Sequence, residues 1–212
     1  MTHRIQNPKL SFREAKVRRT ITQGIVLHHI AGQMSVQQIH ELHRKNGWNG
    51  IGYNFVVDFD GTIREGRGMN FIGAHTQAHN ARTVGIAVNG CYHTQRTYMP
   101  DAQFNALVWL IREIRAEYGN LPIHAHHDLA PTTCPGRYFP LEDVRKGVAR
   151  PLVPPKTTIP LHTVKEGDTL WSIARTHLGR GALWHDIFDL NRDIVDDPDV
   201  LVVGTALQLP YS

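Results

Sequence analysis

The sequence predicts an α/β domain followed by a smaller second domain. Three short apolar stretches rich in β-branched residues have the length of buried strands, namely residues 24–30, 50–58 and 84–88. Amphipathic stretches with helical spacing alternate with them, which is typical of a sheet layered with helices. A proline-rich stretch, residues 149–161, then leads into an acidic C-terminal part and is expected to be a stiff, extended linker.

The N-terminal residues include the first candidate for a functional site. Residues 1–20 are polar and basic, and we expect a strand or an arm laid over the domain. The strand 24–30 contains His28 and His29, whose side chains point to opposite faces, so only one of them can serve a given site. A histidine at the end of a buried strand is costly unless it is hydrogen-bonded or bound to an ion.

A capping-box pattern predicts the first helix. Ser35 and Gln38 have the required spacing at its start, and Gly47 is a typical residue after its end. The apolar residues expected on its buried face are Val36, Ile39 and Leu42. His40 and His43 on the same helix are expected to be exposed or to contribute to packing.

The remaining elements of the first domain follow in order. Strand 50–58 ends at the hairpin signal Asp60-Gly61, and a return strand begins at Thr62. After strand 84–88, apolar residues at helical spacing predict a long helix from about Asp101 to Tyr118, and a last helix covers residues 141–148.

The stretch 124–136 concentrates three histidines and one of the two cysteines of the chain. An extended segment leads into it, and Pro131 and the Cys134-Pro135-Gly136 sequence then predict a loop. Zinc binds this mixture of imidazole and thiolate ligands, and a third ligand has to come from elsewhere in the chain. Taken alone, the stretch is equally compatible with a histidine-rich surface turn and an inert cysteine.

Composition and charge limit the function classes. Two cysteines cannot form a disulfide framework, and neither a secretory signal nor a membrane-spanning run is evident, so we expect synthesis in the cytoplasm without a signal peptide. Residues 1–161 carry 19 lysines and arginines against 11 carboxylates, whereas residues 162–212 carry 4 against 8. The basic part suits an anionic partner such as a nucleic acid or a cell-wall polymer, or is simply a solvated surface. Aromatic and basic residues do not alternate in the way that would favour nucleic-acid binding.

The first part of the chain resembles the zinc-dependent N-acetylmuramoyl-L-alanine amidases, which are related to peptidoglycan recognition proteins and phage lysozyme-amidases. The resemblance covers roughly residues 20–148 as an ordered series of motifs. These are Ile25-Val-Leu-His28-His-Ile-Ala, Gly47-Trp48 with Gly52-Tyr53-Asn-Phe, Asp58-Phe-Asp-Gly-Thr-Ile, Gly73-Ala-His75, Asn80 with Val84-Gly-Ile, and His126-His-Asp-Leu-Ala-Pro-Thr-Thr-Cys134-Pro-Gly.

The resemblance implies a mixed central sheet flanked by helices and one zinc ion per chain, held by His28, His126 and Cys134. His127 is not expected to be a ligand, and His124 is the main competitor of His126. The implied catalytic residues are Tyr53 and Thr132, although Thr132 stands where the phage enzymes usually have a lysine. The residues expected to line the substrate groove are His75, Asn80 and Thr83.

Residues 162–210 resemble a LysM module. The stretches that carry the resemblance are His162-Thr-Val-Lys-Glu-Gly-Asp-Thr-Leu-Trp-Ser-Ile-Ala, Trp184 to Asn191, and Gly204-Thr-Ala-Leu-Gln-Leu-Pro210. The resemblance implies a βααβ fold that binds N-acetylglucosamine-containing glycan, with Gly167, Asp168, Thr169, Leu170 and Asn191 as candidate contacts. We expect Asp168 to cap a helix whose Leu170, Ile173 and Ala174 point inward, and Trp171 to belong to the core.

We expect an amidase domain at residues 1–148, a proline-rich linker at residues 149–161 and a LysM domain at residues 162–212. The resemblance implies an enzyme that hydrolyses the amide between N-acetylmuramic acid and L-alanine of peptidoglycan. Zinc would activate water and polarise the carbonyl. We expect a monomeric phage or prophage endolysin, released to the wall by a holin, with no nucleic-acid partner and no membrane insertion. A bacterial autolysin, a non-catalytic peptidoglycan receptor and a cytosolic muropeptide-recycling amidase are the alternatives.

Overall fold

The computed structural model describes residues 3–93, 98–151, 161–192 and 194–210. The chain divides into two compact units, residues 1–152 and 153–212. Most of the predicted linker 149–161 lies outside the described residues. Among the helices of the described part, none is long and apolar enough to cross a membrane.

A six-stranded mixed sheet forms the centre of the first unit. Its strands are β1 (Ile5–Gln6), β2 (Gly24–His29), β3 (Phe55–Val57), β4 (Ile63–Glu65), β5 (Thr83–Val88) and β6 (Ile123–Ala125), in the order β1-β4-β3-β5-β2-β6. Only the β3–β4 hairpin is antiparallel; the other neighbours are parallel. The strands β2 and β5 are completely buried and lie in the middle of the order, which explains why they are continuous apolar runs.

Helices cover both faces of this sheet, which confirms the predicted α/β class. They are α1 (Val36–Lys45), α2 (Asp101–Tyr118) and α3 (Leu141–Lys146). The apolar face of α2 packs on side chains such as Phe55 and Val57. Because alternate residues of a strand face opposite ways, the intervening Val56 packs on the other side, against α1.

The first helix departs from its prediction on one face. The capping box of Ser35 and Gln38 is present, and Val36 and Ile39 are buried, but Leu42 is exposed. His40 takes the buried position instead: its Nε2 lies 2.9 Å from the Ser11 carbonyl oxygen, and its ring packs edge-on against Phe12. Contact with the N-terminal arm therefore places His40, rather than Leu42, on the buried face of the helix.

The predicted strand 50–58 is also shorter than expected, since only Phe55–Val57 pairs as a strand. Gly50 has a φ of +146°, and a Cβ at Gly52 would lie 2.1 Å from the Ala74 carbonyl oxygen. The backbone of residues 50–52 is therefore irregular and closely packed, and Tyr53 lies just before strand β3 rather than within it.

The second unit has a small core of its own. Two antiparallel strands, β7 (Leu161–Thr163) and β8 (Ala206–Gln208), accompany two helices, α4 (Leu170–Leu178) and α5 (Trp184–Leu190). Leu170, Ile173 and Ala174 are buried as predicted. The cap of α4 is Thr169, in a capping box with Ser172, so the prediction of Asp168 was one residue early. Trp171 was also wrongly placed in the core, because half of its surface is exposed.

Candidate metal centre and active site

Three potential metal ligands meet at the carboxyl end of two neighbouring strands. His28 lies near the end of β2, and His126 is the first residue after β6, which is the parallel neighbour of β2. The ring centroids of His28 and His126 are 4.4 Å apart. Cys134 returns to the same place from the following loop, with Sγ 3.9 Å from Nδ1 of His28. The candidate ligand atoms of the three residues lie within 4.8 Å of one another.

Local hydrogen bonds fix the turn that carries His126. Asp128 accepts a hydrogen bond from the Ala125 backbone N–H at 2.8 Å and one from Arg145 at 3.0 Å. The backbone N–H of His127 donates to the Cys134 carbonyl oxygen at 2.9 Å, which ties the turn to the cysteine loop. His127 itself is exposed, and its Nδ1 donates to the same carbonyl at 3.0 Å. His124 is not a member of the ligand group.

The chemistry of these side chains fits zinc. Burial and the neighbouring histidines hold the pKa of His28 well below its usual value, and burial lowers that of His126, so both rings are neutral and offer a lone pair. Burial raises the pKa of the Cys134 thiol to about 11, although a backbone hydrogen bond from His29 opposes this. A divalent cation is the partner that would turn such a buried thiol into a thiolate.

A second histidine holds His28 in place. Nε2 of His28 and Nδ1 of His75 are 3.0 Å apart, and the Thr76 hydroxyl oxygen is also 3.0 Å from that Nδ1. With Nδ1 of His28 facing the ligand cluster, its proton resides on Nε2 and is donated to His75. Such an outer partner fixes the tautomer and ring orientation of a metal-binding histidine. Burial lowers the pKa of His75 to about 3, so its ring is neutral.

Glycines make room for the His75 ring. A Cβ at Gly73 or at Gly85 would lie 2.3 Å from Cδ2 of His75. The predicted groove residues Asn80 and Thr83 support the same loop, because Asn80 accepts the backbone N–H groups of His75 and Thr76, and the Thr83 hydroxyl donates to the His79 carbonyl. Neither of them lines the cavity beside the candidate ligands, so their contact with substrate stays a prediction.

The ligand cluster forms one wall of a cavity of about 270 Å³. Its lining residues are His28, His29, His43, Trp48, Tyr53, Ala74, His75, His126 and Cys134. The centroid of the Tyr53 ring is 5.2 Å from that of His28. Burial, and then the charge of Cys134, raises the pKa of Tyr53, so its hydroxyl remains a proton donor.

His43 also lines the cavity, although no sequence motif marks it as a site residue. The Gly52 backbone N–H donates to its Nδ1 at 2.9 Å, so the proton of the neutral ring must lie on Nε2. Burial and the charge of Arg67 lower its pKa to about 4. The ring packs against Trp48, with centroids 4.6 Å apart. The sequence could not have identified His43 as a site residue, because its contact with Gly52 forms only in the folded chain.

Comparison with known proteins assigns the family. The family model of the N-acetylmuramoyl-L-alanine amidases matches residues 18–137, which is more than half of the chain. The chain belongs to this amidase family. The predicted enzyme class is confirmed: the protein is an amidase that acts on peptidoglycan and carries a LysM domain, which matches residues 162–210.

The amidase has relatives among phage proteins. It is 33% identical to the endolysin of Klebsiella phage KP32 over 106 residues, which are 48% of this chain and 70% of that protein. It is 30% identical to the endolysin of Escherichia phage T7 over 124 residues, covering 55% and 82%. The structure of the N-acetylmuramoyl-L-alanine amidase LysC from Clostridium intestinale aligns with a TM-score of 0.65 at 34% identity, covering 68% of this chain and 97% of that one.

The LysM domain of the amidase leaves only part of the predicted glycan contact accessible. Gly167 and Thr169 are exposed and Asp168 is half-buried. Leu170 belongs to the core, and the fully buried Asn191 hydrogen-bonds Ile187 and Gln208 through its side chain. The side chains of Leu170 and Asn191 therefore shape the domain from inside, and glycan contact by the five candidate residues stays a prediction.

Proposed function

We propose that this amidase cleaves the amide between the lactyl group of N-acetylmuramic acid and L-alanine with one zinc ion held by His28, His126 and Cys134. The convergence of these three side chains within 4.8 Å, at the wall of a cavity, is the observation that carries the proposal. Two imidazoles and one thiolate are a suitable tetrahedral ligand set and leave one position open, as catalytic zinc sites require.

The ligand set suits a reaction that develops negative charge on a carbonyl oxygen. A zinc ion would supply a Lewis acid and would lower the pKa of water to about 7. Cys134 is the only anionic ligand of the three, so the site would keep a net positive charge. His75 would keep the His28 ring oriented through the hydrogen bond at Nε2.

Two side chains that can each donate a hydrogen bond line the same cavity and complete the site. The Tyr53 hydroxyl would donate a hydrogen bond to the oxygen on which charge develops. His43, whose proton lies on Nε2, would donate to a polar group of the bound substrate. Thr132 is assigned an assisting role: its hydroxyl accepts the Cys134 backbone N–H at 3.2 Å and so lies beside the ligand loop.

The LysM domain supports a role at the cell wall. We assign glycan contact to the accessible loop residues Gly167, Asp168 and Thr169, and such binding would raise the local concentration of substrate. The phage relatives named endolysins favour a phage or prophage endolysin. In this proposal the enzyme reaches the wall after holin-mediated release and acts as a monomer. A non-catalytic receptor would not need the thiolate, and a recycling amidase would not need a wall-binding domain.

Digestion of purified peptidoglycan tests the proposal. Mass spectrometry should find free stem peptides that begin with L-alanine, and removal of metal with a chelator should stop their release until zinc is restored. Cys134→Ser and His126→Gln should lose both zinc and activity, whereas the matched variant His124→Gln should keep both. Full activity of the Cys134→Ser variant, or loss of zinc only in the His124→Gln variant, would contradict the ligand assignment.

A further inference from the structure

His29 lies next to a proposed metal ligand but is not itself in the ligand group. Its ring is buried and points away from His28, toward the segment that contains Tyr92 and His93. Its main chain stays close to the metal site all the same, because His29 directly follows His28 in the same strand. The main chain of His29 therefore lies beside the metal ligands, while its side chain contacts Tyr92 and His93.

The hydrogen-bond partners of His29 determine where its proton lies. The backbone N–H of Tyr92 can only donate, and it lies 3.1 Å from Nδ1 of His29. A ring nitrogen that accepts a hydrogen bond carries no proton, so His29 is neutral with its proton on Nε2. That N–H donates to Nε2 of His93, 2.9 Å away.

The same reasoning continues through His93 to the cysteine loop. Since Nε2 of His93 accepts from His29, the proton of His93 lies on Nδ1. The Thr133 hydroxyl oxygen is 3.3 Å from that nitrogen and accepts it. Each link thus has one direction only, from the Tyr92 backbone through His29 and His93 to Thr133, the residue before Cys134.

Main-chain contacts bring the two segments together independently of these rings. The Tyr138 backbone N–H donates to the Tyr92 carbonyl oxygen at 3.1 Å. Gly136 has a φ of +101°, and a Cβ there would lie 2.2 Å from that same oxygen. The segment around Tyr92 therefore lies directly on the loop of residues 133–138.

We propose that His29, His93 and Thr133 form a directed hydrogen-bond chain that positions the Cys134 loop for metal binding. The inference rests on the proposed zinc centre and extends it to residues that do not touch the ion. His93 and Thr133 are positioning residues: they hold the thiolate ligand where the two imidazoles can share it. Outer partners of this kind affect metal affinity by 10- to 100-fold when they are removed.

A matched pair of variants at Thr133 tests this chain in the full-length protein. Thr133 is exposed, so Thr133→Val removes the hydroxyl without disturbing the core, and Thr133→Ser restores it. We expect about tenfold weaker zinc binding for Thr133→Val and for His93→Ala in competition with a chromophoric chelator. Thr133→Ser, and Thr20→Val as an exposed control on the N-terminal arm, should bind like the wild type.

Two further measurements separate positioning from a general loss of structure. In the cobalt-substituted protein, Thr133→Val and His93→Ala should shift or weaken the thiolate-to-cobalt charge-transfer absorption. Their metal-free melting temperatures should match that of the wild type. Wild-type affinity and an unchanged cobalt spectrum in both variants would overturn the chain alone, whereas a wild-type protein that takes up no zinc would overturn the metal centre and the chain together.

Discussion

Tyr53 offers the most direct test of how the cavity performs the reaction. Tyr53→Phe removes only the hydroxyl, so the ring contact with His28 and the zinc content should remain. We expect kcat to fall by about 10²- to 10³-fold, the usual effect of losing one donor to a developing oxyanion, with little change in KM. Release of stem peptides from soluble muropeptides measures both constants. An unchanged kcat would show that the hydroxyl does not contact the reacting oxygen.

The proton on Cys134 predicts how zinc binding depends on pH. The thiol has a pKa of about 11 in the metal-free protein, so at pH 6 to 8 it is protonated and must lose that proton when it binds zinc. His28 and His126 have lowered pKa values and are already neutral near pH 7. The zinc association constant should therefore rise about tenfold per pH unit in this range.

Calorimetry in two buffers of different ionisation enthalpy measures the released proton directly. One proton per zinc ion is the expected result at pH 7. An affinity that does not change between pH 6 and 8 would mean that Cys134 is already a thiolate or is not a ligand.

At the scale of single residues, the sequence named three candidate ligands that lie together in the structure, and it missed two histidines near them. His126 and Cys134 share one recognisable stretch, and His28 follows from the resemblance of a second motif. His43 and His93 lie in no such motif, because their roles depend on contacts with Gly52 and Thr133 that only the folded chain creates.

Strand β5 carries a prediction at the scale of elements. Gly85 lies in the middle of this buried strand, and a Cβ there would be 2.3 Å from Cδ2 and 2.4 Å from Cγ of His75. Gly85→Ala should lower the free energy of unfolding by about 1–3 kcal/mol, the usual cost of overpacking, as measured by urea denaturation.

Gly32→Ala is the matched control for this substitution. A Cβ at Gly32 would meet no atom within 4 Å, and its φ is outside the region that favours glycine. We expect a change of less than about 0.5 kcal/mol. Equal effects of the two substitutions would mean that the His75 ring does not need the space beside Gly85.

Element boundaries were harder to predict than the elements themselves. Both Asp168 and Thr169 are good helix caps, and only the partner Ser172, three residues after Thr169, decides between them. The strand predicted at 50–58 is apolar enough, yet the close approach of Gly52 to Ala74 prevents its first half from pairing. Tertiary contacts decided both outcomes.

At the scale of the whole molecule, buried neutral histidines make the metal-free protein sensitive to acid. Burial lowers the pKa values of His29 and His43 to about 4 and that of His75 to about 3, below the ordinary value of 6.5. At a pH between these lowered pKa values and 6.5, the histidines bind protons in the unfolded chain but not in the folded chain. The free energy of unfolding therefore falls as the pH is lowered from 6.5.

The buried His75 gives the clearest measurement of this effect. It should contribute a slope of up to about 1.4 kcal/mol per pH unit between pH 6 and pH 4, seen in urea unfolding with a chelator present. His75→Gln should reduce the slope, whereas replacement of the exposed His127 by Gln should not. A pH-independent stability of the wild type would contradict the prediction.

His28 and Cys134 stand 106 positions apart in the chain, yet their side chains nearly touch. A single ion shared by them would be a reversible cross-link between distant parts of the catalytic domain. Because it would bind only the folded chain, the supply of the ion would decide how long each molecule resists unfolding and proteases. Scarcity of zinc in the surroundings would then shorten the working life of every copy as well as stopping its catalysis.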